Sequence, residues 1–219
     1  AFLSPLIKQN KSIGFVPTMG ALHQGHLSLL EKSLSENDLT VMSIFVNPTQ
    51  FNNAEDLDKY PRTLERDVQI MQDLSNNIIV YAPEVADIYE GNTVSESFNY
   101  DGLENQMEGK HRPGHFDGVG TIVKRLFEII QPNKAYFGEK DFQQLQIVKK
   151  LVSKHNIPVE VIGCQIHREA NGLAMSSRNE RLSESAREKA TIIYQILNSA
   201  KEIFQSHSAE ETIKFVENE

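Results

Sequence analysis

Two histidines three residues apart, His23 and His26, enclose Gln24 and Gly25 directly after Met19-Gly20-Ala21-Leu22. Paired imidazoles can donate hydrogen bonds to a phosphate or ligate zinc, but a zinc site needs a third ligand and an open position. Their context favours phosphate. Residues 13–16 are a short apolar run ending at Pro17, and Leu27, Leu29 and Leu30 follow at helical spacing, so the pair falls where a first strand turns into a first helix. At such a turn, free backbone N–H groups and the positive end of the helix dipole point at an anion, and a glycine lets a nucleotide approach the backbone. Lys140 stands between Glu139 and Asp141 where another helix is expected to begin. A cation is unfavourable at that end of a helix unless a polyanion binds beside it.

The elements that must hold these groups show as an alternation along the chain. Residues 39–46 are a continuous run rich in Val and Ile that stops at Asn47-Pro48, the pattern of a strand buried on both faces. A helix is expected over 61–74 with Pro61 at its first position, then a strand over 78–81. Val119, Ile122, Val123, Leu126, Ile129 and Ile130 form one stripe of a helix over 117–130, which Pro132-Asn133 ends. A strand at 135–137, a helix over 141–155 and a strand at 159–162 follow. Parallel strands need crossover connections, and these helices supply them, so the fold class is α/β with a mostly parallel sheet covered on both faces. After Glu169 the chain reads as a polar loop over 170–181 and a helix over 184–206 with Ala186, Ala190, Ile193, Leu197 and Phe204 inward. Ser208 and Glu211 then make a capping box for a last helix.

Composition narrows the partners. The 219 residues are 39% hydrophobic and 24% charged, with 22 Lys and Arg against 30 Asp and Glu, a net charge of −8. That is the profile of a globular protein, and its overall field argues against nucleic acid and anionic lipid. The stretch 109–181 nevertheless carries more basic than acidic residues, which suits a small anion. No run reaches the roughly 18 apolar residues of a membrane span, and the start lacks the basic-then-apolar order of a signal peptide, so no membrane is expected and the location is read as cytoplasmic. Cys164 is the only cysteine, which excludes an internal disulfide; at the end of a core strand it reads as a small buried residue and not a nucleophile.

The string TMGALHQGH at 18–26 resembles the HxGH motif of the nucleotidyltransferase superfamily, and with its surroundings the chain is similar to the pantothenate synthetase (pantoate–β-alanine ligase) family. Val46-Asn47-Pro48-Thr49-Gln50-Phe51, Tyr60-Pro61-Arg62, Arg112-Pro113-Gly114-His115-Phe116-Asp117-Gly118, Gly138-Glu139-Lys140-Asp141 with Gln143-Gln144, and Gly172-Leu173-Ala174-Met175-Ser176-Ser177-Arg178-Asn179 stand in the family's order and approximate spacing. Six motifs in register over nearly the whole chain leave little room for chance.

The resemblance implies a Rossmann-like, doubly wound nucleotide-binding and catalytic domain over 1–167. The start of a smaller, truncated C-terminal lid domain follows over 168–219, with a mobile loop at 170–181. Pantoate and ATP would form pantoyl adenylate and pyrophosphate, and β-alanine would then give pantothenate and AMP. By the same resemblance, ATP meets the residues from Met19 to His26, Gly138 to Asp141, the backbone at His167, and Met175 to Arg178. His26 is the first choice for the catalytic acid; His23 joins it at the triphosphate, and Lys140 stabilises charge on the α-phosphate. Gln50 and Gln144 would hold pantoate, with Gln50 also near β-alanine, as neutral amides that both donate and accept. Asn47 supports the same pocket, and Tyr60 is either its gate or ordinary packing. Arg112 and His115 either shape the pocket or support a homodimer. Magnesium would be held mainly by phosphate oxygens, with no protein metal site; Asp67 could be an outer ligand, but an exposed helix residue is the favoured reading. Two other functions fit parts of the sequence: another nucleotidyltransferase, which would have no use for Gln50 and Gln144, and a nucleotide-binding module without turnover.

Overall fold

The computed structural model describes residues 11–219. The chain divides into two compact units, one comprising the residues through Leu22 together with His26–Gln165, the other His23–Gly25 together with Ile166–Glu219.

The first unit opens with β1 (Ile13–Thr18), α1 (Gln24–Glu36) and β2 (Leu39–Ile44). A 3-10 turn at Pro48–Gln50, α2 (Ala54–Asp58) and α3 (Leu64–Leu74) lead to β3 (Ile78–Tyr81). Then come α4 (Val85–Tyr89), a 3-10 turn at Leu103–Asn105, α5 (Met107–His111) and α6 (His115–Ile130), which deliver the chain to β4 (Lys134–Gly138). A 3-10 turn at Glu139–Asp141, α7 (Phe142–Lys154) and β5 (Glu160–Cys164) complete the unit. All neighbouring strands are parallel, in the order β3-β2-β1-β4-β5. This is the expected Rossmann-like sheet, and β1 and β4 mark the point where the strand order reverses.

Successive residues on each strand face opposite layers, and the two cores follow. Phe15, Val41 and Phe137 pack with Val119, Ile122, Leu126 and Leu151 of α6 and α7. Val16, Met42 and Tyr136 pack on the other face with Leu29, Leu30 and Met71 of α1 and α3. Burying each large aliphatic or aromatic side chain contributes about 1.5–3 kcal/mol, so both faces hold the sheet rigid beneath its loops. Cys164 belongs to the second core, and burial pushes its thiol up to about 11, so it stays protonated as a packing residue.

Several boundaries differ from expectation for local reasons. The helix expected from Pro61 starts at Leu64, after Thr63. Arg62 instead reaches back to the carbonyls of Leu57 (3.2 Å), Asp58 (3.3 Å) and Tyr60 (3.3 Å) and satisfies the end of α2. The helix expected over 117–130 begins two residues earlier, after Gly114 in the left-handed region at φ 77°. β2 stops at Ile44, and β1 runs on through Pro17 to Thr18.

The second unit is built on a hairpin in which Arg168 pairs with Ala174. A 3-10 turn at Ser177–Arg181 follows, then α8 (Glu184–Lys189), α9 (Ile192–Ile203) and α10 (Ala209–Asn218). The capping box at Ser208 and Glu211 is present. The single helix expected over 184–206 is broken at Ala190 and Thr191, where the Thr191 hydroxyl donates to the Glu188 carbonyl (2.7 Å) and tightens the turn. Ile193, Leu197 and Phe204 do not point inward as the stripe suggested; they are 60%, 52% and 59% exposed, and only Ala200 of α9 is buried. No helix among the described residues is long and apolar enough to cross a membrane.

Candidate active site

β1 pairs with β2 along all six residues but with β4 only at Gly14 and Phe15. Pro17, which has no N–H to give a ladder, lies in the part of β1 no longer paired with β4. Pairing between the two central strands therefore ends short of their carboxyl ends, the position at which open parallel sheets take ligands. Gly138 ends β4 there. Its backbone is ordinary extended chain (φ −72°, ψ 135°), and a Cβ added to it would meet nothing within 4 Å. Nothing among the described residues requires a glycine at 138; the bare backbone faces space.

The turn after β1 is fixed from within. Thr18 Oγ1 donates to the Ser43 carbonyl (2.8 Å) and accepts from the Gly20 N–H (3.2 Å). Gly20 and Ala21 both adopt positive φ, 84° and 52°, and this turns the N–H groups of Ala21 and Leu22 onto the two carboxylate oxygens of Asp67, each at 2.9 Å. Thr63 adds a hydroxyl bond to Asp67 at 3.1 Å. Two expectations change. Asp67 is not an exposed helix residue but 0% exposed, and its oxygens are engaged, which leaves it unsuited to an outer magnesium shell. The amides of Gly20, Ala21 and Leu22 are not free for an anion, because a buried N–H takes a partner and these have theirs. Donors to a polyanion at this turn would have to be side chains, and His26 stands in the first turn of α1.

A second turn, at Pro48–Gln50, is held next to the first. Asn47, 1% exposed, donates from Nδ2 to Gln50 Oε1 (3.2 Å) and to the Gly118 carbonyl (3.2 Å). Gln50 Nε2 lies 3.4 Å from Met19 Sδ. The Gln50 carbonyl accepts from His115 Nδ1 (2.7 Å) and from Arg112 (3.1 Å). A carbonyl only accepts, so the His115 proton is on Nδ1, and burial lowers the pKa of this ring and keeps it neutral. Gly118 has its backbone so close that a Cβ would stand 2.4 Å from the Thr49 oxygen. Tyr60 is 6% exposed and meets Phe51 edge-on.

Lys140 sits in the 3-10 turn after β4, exposed, with Asp141 as its ion partner at 3.5 Å. Gln144 lies in the first turn of α7, half-buried. Its neighbour Gln143 is structural: buried, it accepts from the Glu108 N–H and donates to the carbonyls of Leu103 and Gln106. Among the described residues no group of three His, Cys, Asp or Glu side chains could hold a metal ion.

In the second unit, His23 precedes the first residue of α1, and its Nδ1 accepts the Gly25 N–H (3.1 Å). In a neutral ring the proton is then on Nε2, which is a donor. A Cβ on Gly25 would stand 2.9 Å from the His23 ring, so this glycine makes room for the cap. The His167 carbonyl accepts from the Met175 N–H (3.1 Å). Within the segment expected as a loop over 170–181, Gly172, at φ 91°, lies against the Tyr194 ring, and Arg168 stacks on the same ring at 4.1 Å. Glu169 takes a two-point ion pair from Arg187, with Asn179 beside it. Ser176 caps the 3-10 turn through the Arg178 N–H (3.3 Å).

Tyr89 is a site-building residue that sequence reasoning missed, and Asp67 is one that it named but placed on the surface. Asp67 carried a signal, since it stands four residues before Met71 on the buried face of α3.

The family model for pantoate-beta-alanine ligase matches residues 1–219. A pantothenate synthetase of Flavobacterium psychrophilum is 66% identical over 215 residues, 98% of this chain and 76% of the relative. The crystal structure of pantothenate synthetase from Thermus thermophilus is similar with a TM-score of 0.89 at 45% identity, covering 94% of this chain and 75% of that one. A pantoate-beta-alanine ligase from Francisella tularensis, complexed with beta-gamma ATP and beta-alanine, gives 0.79 at 40% identity, covering 96% and 78%. Sheet order, site motifs and these relatives agree, and the chain belongs to the pantoate-beta-alanine ligase family.

Proposed function

We propose that the chain performs its family's reaction at the carboxyl edge of the first unit's sheet. The reaction is the ATP-dependent ligation of pantoate and β-alanine through pantoyl adenylate. The bare Gly138 backbone facing open space, at the carboxyl end of β4 where the strand order reverses, is the observation that carries this reading, since a nucleoside binds at such a point. A pantoate carboxylate oxygen attacks the α-phosphorus and pyrophosphate leaves. The β-alanine amine then attacks the acyl carbon and AMP leaves. No covalent enzyme intermediate is needed, so the chain's contribution is positioning and charge stabilisation.

His26, at the start of α1, is assigned as the acid toward the leaving pyrophosphate, and Lys140 as the cation at the α-phosphate, with Gly138 and Asp141 toward the ribose. Gln50 and Gln144 are assigned to pantoate, and Gln50 also to β-alanine. To the second unit, taken by itself, the reading assigns His23, the His167 backbone and the donors of Met175 to Arg178 as nucleotide contacts. Magnesium enters with ATP as part of that substrate and is held by its phosphates. A cytoplasmic homodimer goes with the reading, and light scattering checks the mass.

The test is incubation with ATP, magnesium and pantoate, with and without β-alanine, following pyrophosphate and AMP. The reading expects pyrophosphate with pantoate and steady AMP release only when β-alanine is added. His26→Ala should cut pyrophosphate formation by about a hundredfold or more with little change in melting, the usual scale for a lost acid. Pyrophosphate released with other acids but not with pantoate would point to another nucleotidyltransferase, and none at all to a binding module.

A further inference from the structure

We infer that Tyr89 is a positioning residue that determines which end of the Gln50 side-chain amide faces the acid substrate. The Gly118 backbone carbonyl can only accept, so the Asn47 atom facing it at 3.2 Å is the NH2 nitrogen. Asn47 Oδ1 then faces the Tyr89 hydroxyl, which donates to it at 2.5 Å. Burial raises the Tyr89 phenol pKa, so the hydroxyl keeps the proton that this bond needs. The second Asn47 N–H is directed at Gln50, and the Gln50 atom meeting it at 3.2 Å must be the oxygen. The Gln50 NH2 is thereby turned outward toward Met19 Sδ, a weak acceptor at 3.4 Å that a carboxylate or hydroxyl oxygen outcompetes.

The chain Tyr89–Asn47–Gln50 thus presents a donor where the acid substrate needs one. Tyr89 is itself firmly anchored, being 2% exposed, with its ring 4.8 Å beneath the Arg125 guanidinium and its hydroxyl also in contact with Thr49 at 2.9 Å. With the hydroxyl gone, Asn47 Oδ1 keeps only the longer Thr49 bond at 3.2 Å, and the amide orientation loses its strongest determinant.

This inference rests on the assignment of Gln50 to pantoate, so its test has one arm independent of substrate. In ligand-free protein with labelled methionine methyls, the Gln50 side-chain NH2 protons should show a nuclear Overhauser effect to the Met19 methyl, and Tyr89→Phe should lose at least about half of it as the amide populates both orientations. In turnover, Tyr89→Phe should raise the pantoate KM about tenfold, with the ATP KM within about twofold, the scale of one hydrogen bond to a carboxylate. In a Gln50→Ala background the same substitution should change the pantoate KM no further. An unchanged Overhauser effect, or an equal KM change in both backgrounds, overturns the inference. If the parent protein shows no pantoate-dependent reaction, the functional reading fails, and the Overhauser arm still decides the role of Tyr89.

Discussion

Asp67 accepts two backbone N–H bonds and one hydroxyl bond with no exposure to water, and it holds the Gly20–Ala21–Leu22 turn in a left-handed geometry that Ala21 would not adopt alone. Asp67→Asn offers one oxygen to two donors and turns an NH2 toward the other, so it should destabilise the protein by about 2–4 kcal/mol in urea unfolding. An unchanged urea midpoint would show that the carboxylate does not hold this turn. His115 gives a pH dependence of defined sign. Its folded pKa lies below the ordinary value of 6.5, so the unfolded chain binds the proton first. Its stabilising contribution is complete above 6.5 and is lost as pH falls from there toward the lower folded value. The parent should therefore lose more stability between about pH 7 and 5 than His115→Asn, and equal losses would contradict this. Both residues show where reading the sequence ran out. A buried acid on an amphipathic helix looks like any polar position until its long-range partners are known; those of Asp67 are 45 and 46 residues away. His115 was legible as a site residue through its motif, but its bond to the Gln50 carbonyl spans 65 residues and leaves no local pattern.

The strands were legible because apolar runs buried on both faces stand out, and their parallel direction followed from helices at crossover spacing. What stayed hidden was the uneven pairing of β1, six residues with β2 and two with β4, since local sequence states no register. The break in the 184–206 helix was hidden too, because it depends on one threonine hydroxyl turning back to a carbonyl, and Ile193, Leu197 and Phe204 show that a period predicts a face and not its cover. The opening at the end of β4 makes its own prediction. Gly138→Ala is sterically free in the protein and should fold with stability within about 0.5–1 kcal/mol of the parent or higher. If the space belongs to a nucleoside, the ATP KM should rise while melting does not fall. Parent-like ATP kinetics would remove the nucleotide from that opening.

For the whole molecule, a net charge of −8 coexists with a proposed polyanion site, because recognition depends on the few side chains at the strand ends and not on the sum. Buried backbone amides are committed to Thr18 and Asp67, so the proposed phosphate contacts of the first unit rest more on His26 and Lys140 than a Gly-rich turn would suggest. The central claim is that the acid is activated on the α-phosphate before the amine attacks. Pantoate labelled with oxygen-18 in its carboxylate decides it. Adenylate chemistry predicts one labelled oxygen in each AMP, the other remaining in the amide carbonyl of pantothenate. Product formed with no label in AMP would contradict the account.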